Sequence, residues 1–172
     1  MRFGLSQAQE AASTLSPTAT LATKEIPYDY VARFILTGNS GNRLQDVINI
    51  SIDGAFVAVT IGYSFIPAPV RTGTSPTPAN NRAIDFKYSI VDSGSGRELQ
   101  NRPIHNIAGL GEPNGERPFR VLAKPMVFMP RSTVRIEVEE VTGSDADATI
   151  AGAELFIVLH GYKMLGYGTR MS

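Results

Sequence analysis

Thr133-Val134-Arg135-Ile136-Glu137-Val138-Glu139-Glu140-Val141 decides the class of fold. Val134, Ile136 and Val138 alternate with Arg135, Glu137 and Glu139. Successive side chains of a strand point to opposite faces, so this pattern places aliphatics toward a core and charges toward water. Glu139 and Glu140 read, with Arg135, as part of the charged strand surface. A second apolar run lies across the polar break Thr142–Ala148, from Ile150 to Tyr162. Within it Leu155-Phe156-Ile157-Val158-Leu159 is apolar at both parities. Such a strand belongs in the centre of a sheet, or has its outer face covered by a partner.

Working outward, the rest of the chain continues in strands. Tyr28–Leu36 is rich in Tyr, Val, Phe and Ile, and Gly38-Asn39-Ser40-Gly41-Asn42 ends it with turn formers. Val47–Ile52 is followed by Asp53-Gly54, a hairpin signal, and Ala55–Phe65 supplies the returning strand. An unbroken two-residue period puts Val57, Val59, Ile61, Tyr63 and Phe65 on its core face, with Phe56, Ala58, Thr60, Gly62 and Ser64 opposite. Pro67–Asn81 is a long Pro/Thr/Ser/Gly connection that opposes a regular ladder. Ala83–Val91 resumes alternation, with Ile84, Phe86, Tyr88 and Ile90 on one face, and Asp92–Gly96 makes a turn. Arg102–Pro118 is irregular; its Ile104, Ile107 and Leu110 are expected to cover a sheet edge. Phe119–Leu122 and Met126–Met129 are short strands, the second framed by Pro125 and Pro130 as at an edge or bend.

Short β segments joined by Gly/Pro/Asn-rich loops, without alternating long helices, predict an all-β, antiparallel β-sandwich that is jelly-roll-like; an open barrel is the alternative. Residues 1–27 are set apart as an extended N-terminal arm, and residues 28–172 as the sandwich domain. The arm is rich in Ala, Ser, Thr and Gln, with scattered apolar anchors at Phe3, Leu5, Leu15, Leu21 and Ile26. It reads equally as a free tail or as a segment ordered against a neighbouring subunit.

Composition narrows the function classes. Sixteen basic and sixteen acidic residues cancel. That balance gives no support for nucleic-acid binding, which needs a clustered positive surface, and it offers little protection against association. The chain has no cysteine, which excludes disulfides, thiolate catalysis and cysteine zinc sites. No apolar run reaches bilayer-spanning length, so no membrane insertion is expected. The residues after Arg2 lack the apolar stretch of a signal peptide.

Catalytic and metal motifs are absent from the sequence. The two histidines, His105 and His160, sit in no HExxH pattern, and the carboxylates Asp92, Glu112 and Glu137 bear no telling spacing to them. Asp145 and Asp147 lie in an acidic loop without the calcium-loop pattern. Ser132 is in no nucleophile elbow. Gly109, Gly111 and Gly115 lack the lysine of a phosphate loop and serve as turn formers. No catalytic residue, cofactor or metal is therefore assigned. Arginines are dispersed, and their fixed forks suit protein interfaces. Arg71, Arg82, Arg131 and Tyr162 join Phe3, Leu5, Leu15 and Leu21 as candidate interface residues. The alternative is a glycan- or receptor-binding module using Tyr28, Tyr30, Asn80, Asn81 and Asn106.

Arg117-Pro118-Phe119, the run Pro125–Val138 and the closing Leu155-Phe156-Ile157-Val158-Leu159-His160-Gly161-Tyr162-Lys163 carry a likeness. Together they resemble small β-sandwich structural proteins of tailed bacteriophage particles. Those proteins pair a proline-bounded, strand-leading segment with a last strand that runs into a Leu-x-Gly-x-Lys end. Here Met129-Pro130-Arg131 replaces the flexible Pro-Gly turn. The resemblance covers the C-terminal third and implies a virion component: a minor capsid, decoration or connector-associated protein. It further implies a symmetric homo-oligomer, contacts with other virion proteins, and a contact-arm role for the N-terminal segment and Pro67–Asn81.

Overall fold

The computed structural model describes residues 22–68, 84–113, 115–142 and 150–167. The described residues form nine strands: β1 (Ala22–Ile35), β2 (Arg43–Asn49), β3 (Gly54–Ile66), β4 (Phe86–Asp92), β5 (Arg97–Glu98), β6 (Ile104–His105), β7 (Phe119–Phe128), β8 (Thr133–Glu140) and β9 (Glu154–Tyr167). One short helix, α1 (Asn106–Leu110), follows β6. The strands build two antiparallel sheets, ordered β1-β9-β3-β7 and β2-β8-β4-β5, with β6 also on β4. The chain is thus all-β with two sheets. Its pairing is that of one long antiparallel ribbon folded over: β1 with β9, β2 with β8, β3 with β7, β4 with β5 and β6.

The alternation in β8 predicts its surroundings residue by residue. Val134, Ile136 and Val138 are buried, and Arg135, Glu137 and Glu139 face out. Ile84, Phe86, Tyr88 and Ile90 meet them in the core. From the other sheet come Phe34, Phe56, Phe128, Leu155, Ile157 and Leu159. β9 is the central strand of its sheet, as its two-sided apolar sequence requires, with β1 and β3 as neighbours.

Several local expectations give way. β1 begins at Ala22 rather than Tyr28, paired with β9 through to Tyr167, so Ala22–Pro27 belongs to a sheet. Asp53-Gly54 is not a hairpin turn: β2 and β3 lie in different sheets. Gly54 is needed for close approach instead, because a Cβ there would lie 2.2 Å from the Met164 carbonyl oxygen. In β3 the period breaks at Val59. The register to β9 shifts between Ala58, opposite Gly161, and Thr60, opposite His160. This bulge exchanges the faces, so Phe56 and Ala58 point inward before it and Ile61, Tyr63 and Phe65 after it. The two short strands expected around Pro125 are one strand, β7, with its own irregularity opposite the same point.

Glu140 departs furthest from expectation. It is 3% exposed, not part of the charged surface. Its carboxylate accepts hydrogen bonds from the backbone N–H groups of Thr37 and Gly38 (both 2.8 Å), from the Thr37 hydroxyl (3.0 Å) and from Asn42 Nδ2 (3.2 Å). A buried carboxylate is tolerated when its lone pairs are satisfied in this way. It fastens the β1–β2 connection to the end of β8.

Two substitutions test these devices. Gly161→Ala would place a Cβ 1.8 Å from the Val57 carbonyl oxygen. A loss of about 1–3 kcal/mol in denaturant unfolding is expected, whereas Gly166→Ala, with nothing within 4 Å, should stay within about 0.5 kcal/mol. Glu140→Ala strips four donors of their acceptor and should cost about 2–4 kcal/mol, read from the urea midpoint.

Candidate functional site

The site candidates begin with the titratable residues. His160 Nδ1 lies 3.0 Å from Asp29 Oδ1, on neighbouring strands β9 and β1. His105 Nε2 lies 3.5 Å from Asp85 Oδ1. Each histidine thus has a carboxylate, though not Asp92, Glu112 or Glu137. Both pairs are open to water, with side chains about two-fifths exposed or more. Neither pair sits with a third ligand: among the described residues no group of three or more His, Cys, Asp or Glu could hold a metal. Asp145 and Asp147 lie outside the described residues.

The outer face of the second sheet carries charge. Glu139 is bound by Lys87 (3.1 Å) and Arg43 (3.2 Å), and Arg135 meets Glu137 at 3.0 Å. The Lys87 hydrogen bond, aided by Arg43, holds the Glu139 carboxyl below the usual carboxylate range. The shallow depression beside them is lined by these paired charges together with Pro103. Such a surface is one that water solvates.

The outer face of the first sheet is the opposite. Residues directly paired across antiparallel strands share a face. Register therefore places Val31, Val158, Gly62 and Phe119 in one row, and Asp29, His160, Thr60 and Val121 in the next. On one side follow Arg33, Phe156 and Ser64, then Ile35, Glu154 and Ile66; beyond the bulge lie Pro27, Tyr162, Val57 and Val127. Val31 is 50% exposed, Phe119 49%, Val121 64%, Val127 53%, Ile35 58% and Ile66 53%. Phe156, Val158 and Tyr162 are half-buried among them. The charged groups on this face are Arg33, paired with Glu154, His160 beside Asp29, and Glu25 at the end of the sheet. These exposed apolar side chains are neighbours across the strands rather than scattered singly.

Of the interface residues expected from sequence, Tyr162 lies on this face. Arg131 does not: it occupies the β7–β8 turn, with φ 64°, and donates its backbone N–H to the Ile50 carbonyl. Phe3, Leu5, Leu15, Leu21, Arg71 and Arg82 lie outside the described residues. The glycan set does not converge. Asn106 is fully buried, where its Nδ2 donates to the Ile84 carbonyl (2.7 Å) and the Tyr63 hydroxyl (3.1 Å), while its Oδ1 accepts from Phe86 N–H. The Tyr30 hydroxyl accepts from Ser51 N–H, and Asn80 and Asn81 lie outside the described residues. The α1 segment does cover the edge as expected through Leu110 and Ile104, but Ile107 points outward and Asn106 makes the polar anchor.

Sequence reading missed Val31, Phe119, Val121 and Val127. The doubly apolar Leu155–Leu159 run was the signal for the face they share.

The sequence matches no protein-family model and no curated protein. Among solved structures, a protein from Sulfurospirillum deleyianum aligns at 8% identity and a TM-score of 0.39, over 79% of this chain and 99% of that one. The VP2 subviral particle of infectious bursal disease virus aligns at 10% identity and a TM-score of 0.29, over 85% of this chain and 39% of that one. Neither likeness defines a family for this chain.

Burial raises the Tyr63 phenol above its usual pKa, and the bond from Asn106 draws it partly back. Asn106→Ala should therefore push the Tyr63 titration higher in ultraviolet absorbance. Because it leaves buried polar groups unpaired, it should also cost about 1–3 kcal/mol of stability.

Proposed function

We propose that this protein is a non-catalytic structural subunit of a viral particle or similar assembly, forming symmetric homo-oligomers. The observation that carries this reading is the apolar outer face of the β1-β9-β3-β7 sheet. Its half-exposed Val31, Phe119, Val121 and Val127 stand opposite a charged outer face on the other sheet. Burying a large aliphatic or aromatic side chain fully is worth about 1.5–3 kcal/mol. Several such side chains half-way out of water therefore favour association by a useful margin.

The folded-over ribbon is read as a jelly roll, an architecture used for rigid building blocks as well as for sugar-binding domains. The building-block use fits better, since the polar side chains that would contact a sugar are buried, dispersed or already paired. Phe3, Leu5, Leu15 and Leu21, with Arg71 and Arg82, are further candidate contacts of arm and loop, and other virion proteins are their proposed partners. The C-terminal resemblance to bacteriophage particle proteins sets the proposed location in a virion, as a minor capsid, decoration or connector-associated component.

Light scattering after size-exclusion chromatography, across a concentration series, checks this reading. A discrete mass that is a whole multiple of the chain mass is expected. A chain that stays single at every concentration counts against it.

A further inference from the structure

We propose that the apolar outer face of the β1-β9-β3-β7 sheet is a two-fold self-association surface, occupied by the same face of a second copy of this chain. This rests on the assembly reading above and names its partner and its geometry. Four observations select a second copy docked face to face.

The first is charge. The face carries Arg33 paired with Glu154, His160 beside Asp29, and Glu25 at its end in the row of Met164 and Ala55. These few charged groups are of both signs and spread along the sheet, so no dense patch of one sign selects an acidic or a basic partner. The whole chain is also formally neutral, so two copies meet without net repulsion. What the face does select is another surface as apolar as itself.

The second is the other side of the sandwich. Arg43, Lys87, Glu139, Arg135 and Glu137 cover it. Head-to-tail stacking, apolar face on charged face, would strip water from those groups without replacing it. The like-with-like arrangement avoids that cost and gives a closed, isologous contact.

The third is relief. Thr60, Gly62 and Ser64 form a low column along β3, between the Phe156 and Val158 column of β9 and the Phe119 and Val121 column of β7. Two such faces related by a dyad can seat ridges against troughs, as sheets do when they pack about 10 Å apart.

The fourth is that edge-to-edge joining is obstructed. On the β1 edge, Asp46 Oδ2 accepts the Arg33 N–H at 2.9 Å, and on β2 Asp46 Oδ1 accepts the Val47 N–H at 2.8 Å. Pro27, at the same parity as Arg33, offers no N–H to a new strand. The β7 edge is broken by the register shift and Pro125. β5 and β6 are two residues each. These are the devices that keep sheet edges from pairing.

The test compares Val31→Asp and Val121→Asp with Val47→Asp, which puts the same charge on the opposite outer face. Sedimentation or light scattering should show the first two raising the dimer dissociation constant at least about tenfold, with Val47→Asp unchanged. Because a variant can fail to fold, hydroxyl-radical footprinting of the wild-type chain is run in parallel. Phe119 and Phe156 should become protected at concentrations where it associates. An oligomer that keeps wild-type affinity in both variants, or equal labelling of those phenylalanines in the dilute and concentrated protein, overturns the face while leaving the assembly reading standing. Mass that climbs with concentration without a ceiling overturns the two-fold geometry. A wild-type chain that never associates overturns both readings.

Discussion

The residue that β3 holds in excess of its partner β9 is the constraint on which the sandwich depends. Before Val59, Phe56 and Ala58 face the core; after it, Ile61, Tyr63 and Phe65 do. A strict two-residue period would have sent one of those groups into water. The displaced backbone at Val57 and Ala58 presses against β9 at Gly161, where any Cβ would collide with the Val57 carbonyl. The bulge on one strand and the glycine on the next are therefore one feature written in two places. β9 pairs with β1 without interruption, so fixing β9 against β3 also fixes which side chains of β1 look out. The composition of the outer face is a consequence of that register.

How much of this was legible follows from where each signal lives. β8 could be read directly because it is a regular strand whose period is undisturbed, and Ile84–Ile90 for the same reason. The faces of β3 could not, because the bulge is imposed by a partner strand far along the chain and Val59 itself is an unremarkable β residue. Asp53-Gly54 carries the composition of a tight turn, yet its glycine answers to Met164 across the sheet. Glu140 follows Glu139 in an acidic run, and nothing local says that the Thr37–Asn42 connection will wrap around its carboxylate. In each case a tertiary contact overrode a sound local preference.

The candidate site was legible in one strand only. Leu155–Leu159 marked β9 as a strand central in its sheet or covered on its outer face; it is internal to its sheet, with Leu155, Ile157 and Leu159 in the core. Val31 is flanked by Tyr30 and Ala32, and Val121 by Arg120 and Leu122, so parity alone could not assign either to the outside. The His160–Asp29 pair joins strands from opposite ends of the chain, which no spacing rule reaches. Arg131 shows the same limit: no local pattern announced its left-handed position in the β7–β8 turn.

The two outer faces of this sandwich differ because of the way the ribbon rolls. Folding an antiparallel ribbon over sends β1, β3, β7 and β9 to one sheet and β2, β4 and β8 to the other. Long elements along the sequence therefore alternate between the sheets, up to the middle and again after it. β2, β4 and β8 each have one apolar-rich and one mostly polar face: Arg43, Gln45 and Asn49 around the exposed Val47 on the first, Lys87 and Ser89 with Val91 on the second, Arg135, Glu137 and Glu139 on the third. β1, β7 and β9 place aliphatic or aromatic side chains on both. A soluble monomer gains nothing from that second set, since an outward Val or Phe contributes little until water is removed from it. β1, β7 and β9 carry the excess apolar surface. The sheet facing theirs has Glu139 bound across strands by Lys87 and Arg43, and Arg135 paired with Glu137 along β8. Val31, Ile35, Ile66, Phe119, Val121 and Val127 come from far apart in the chain and are brought onto one face by sheet membership.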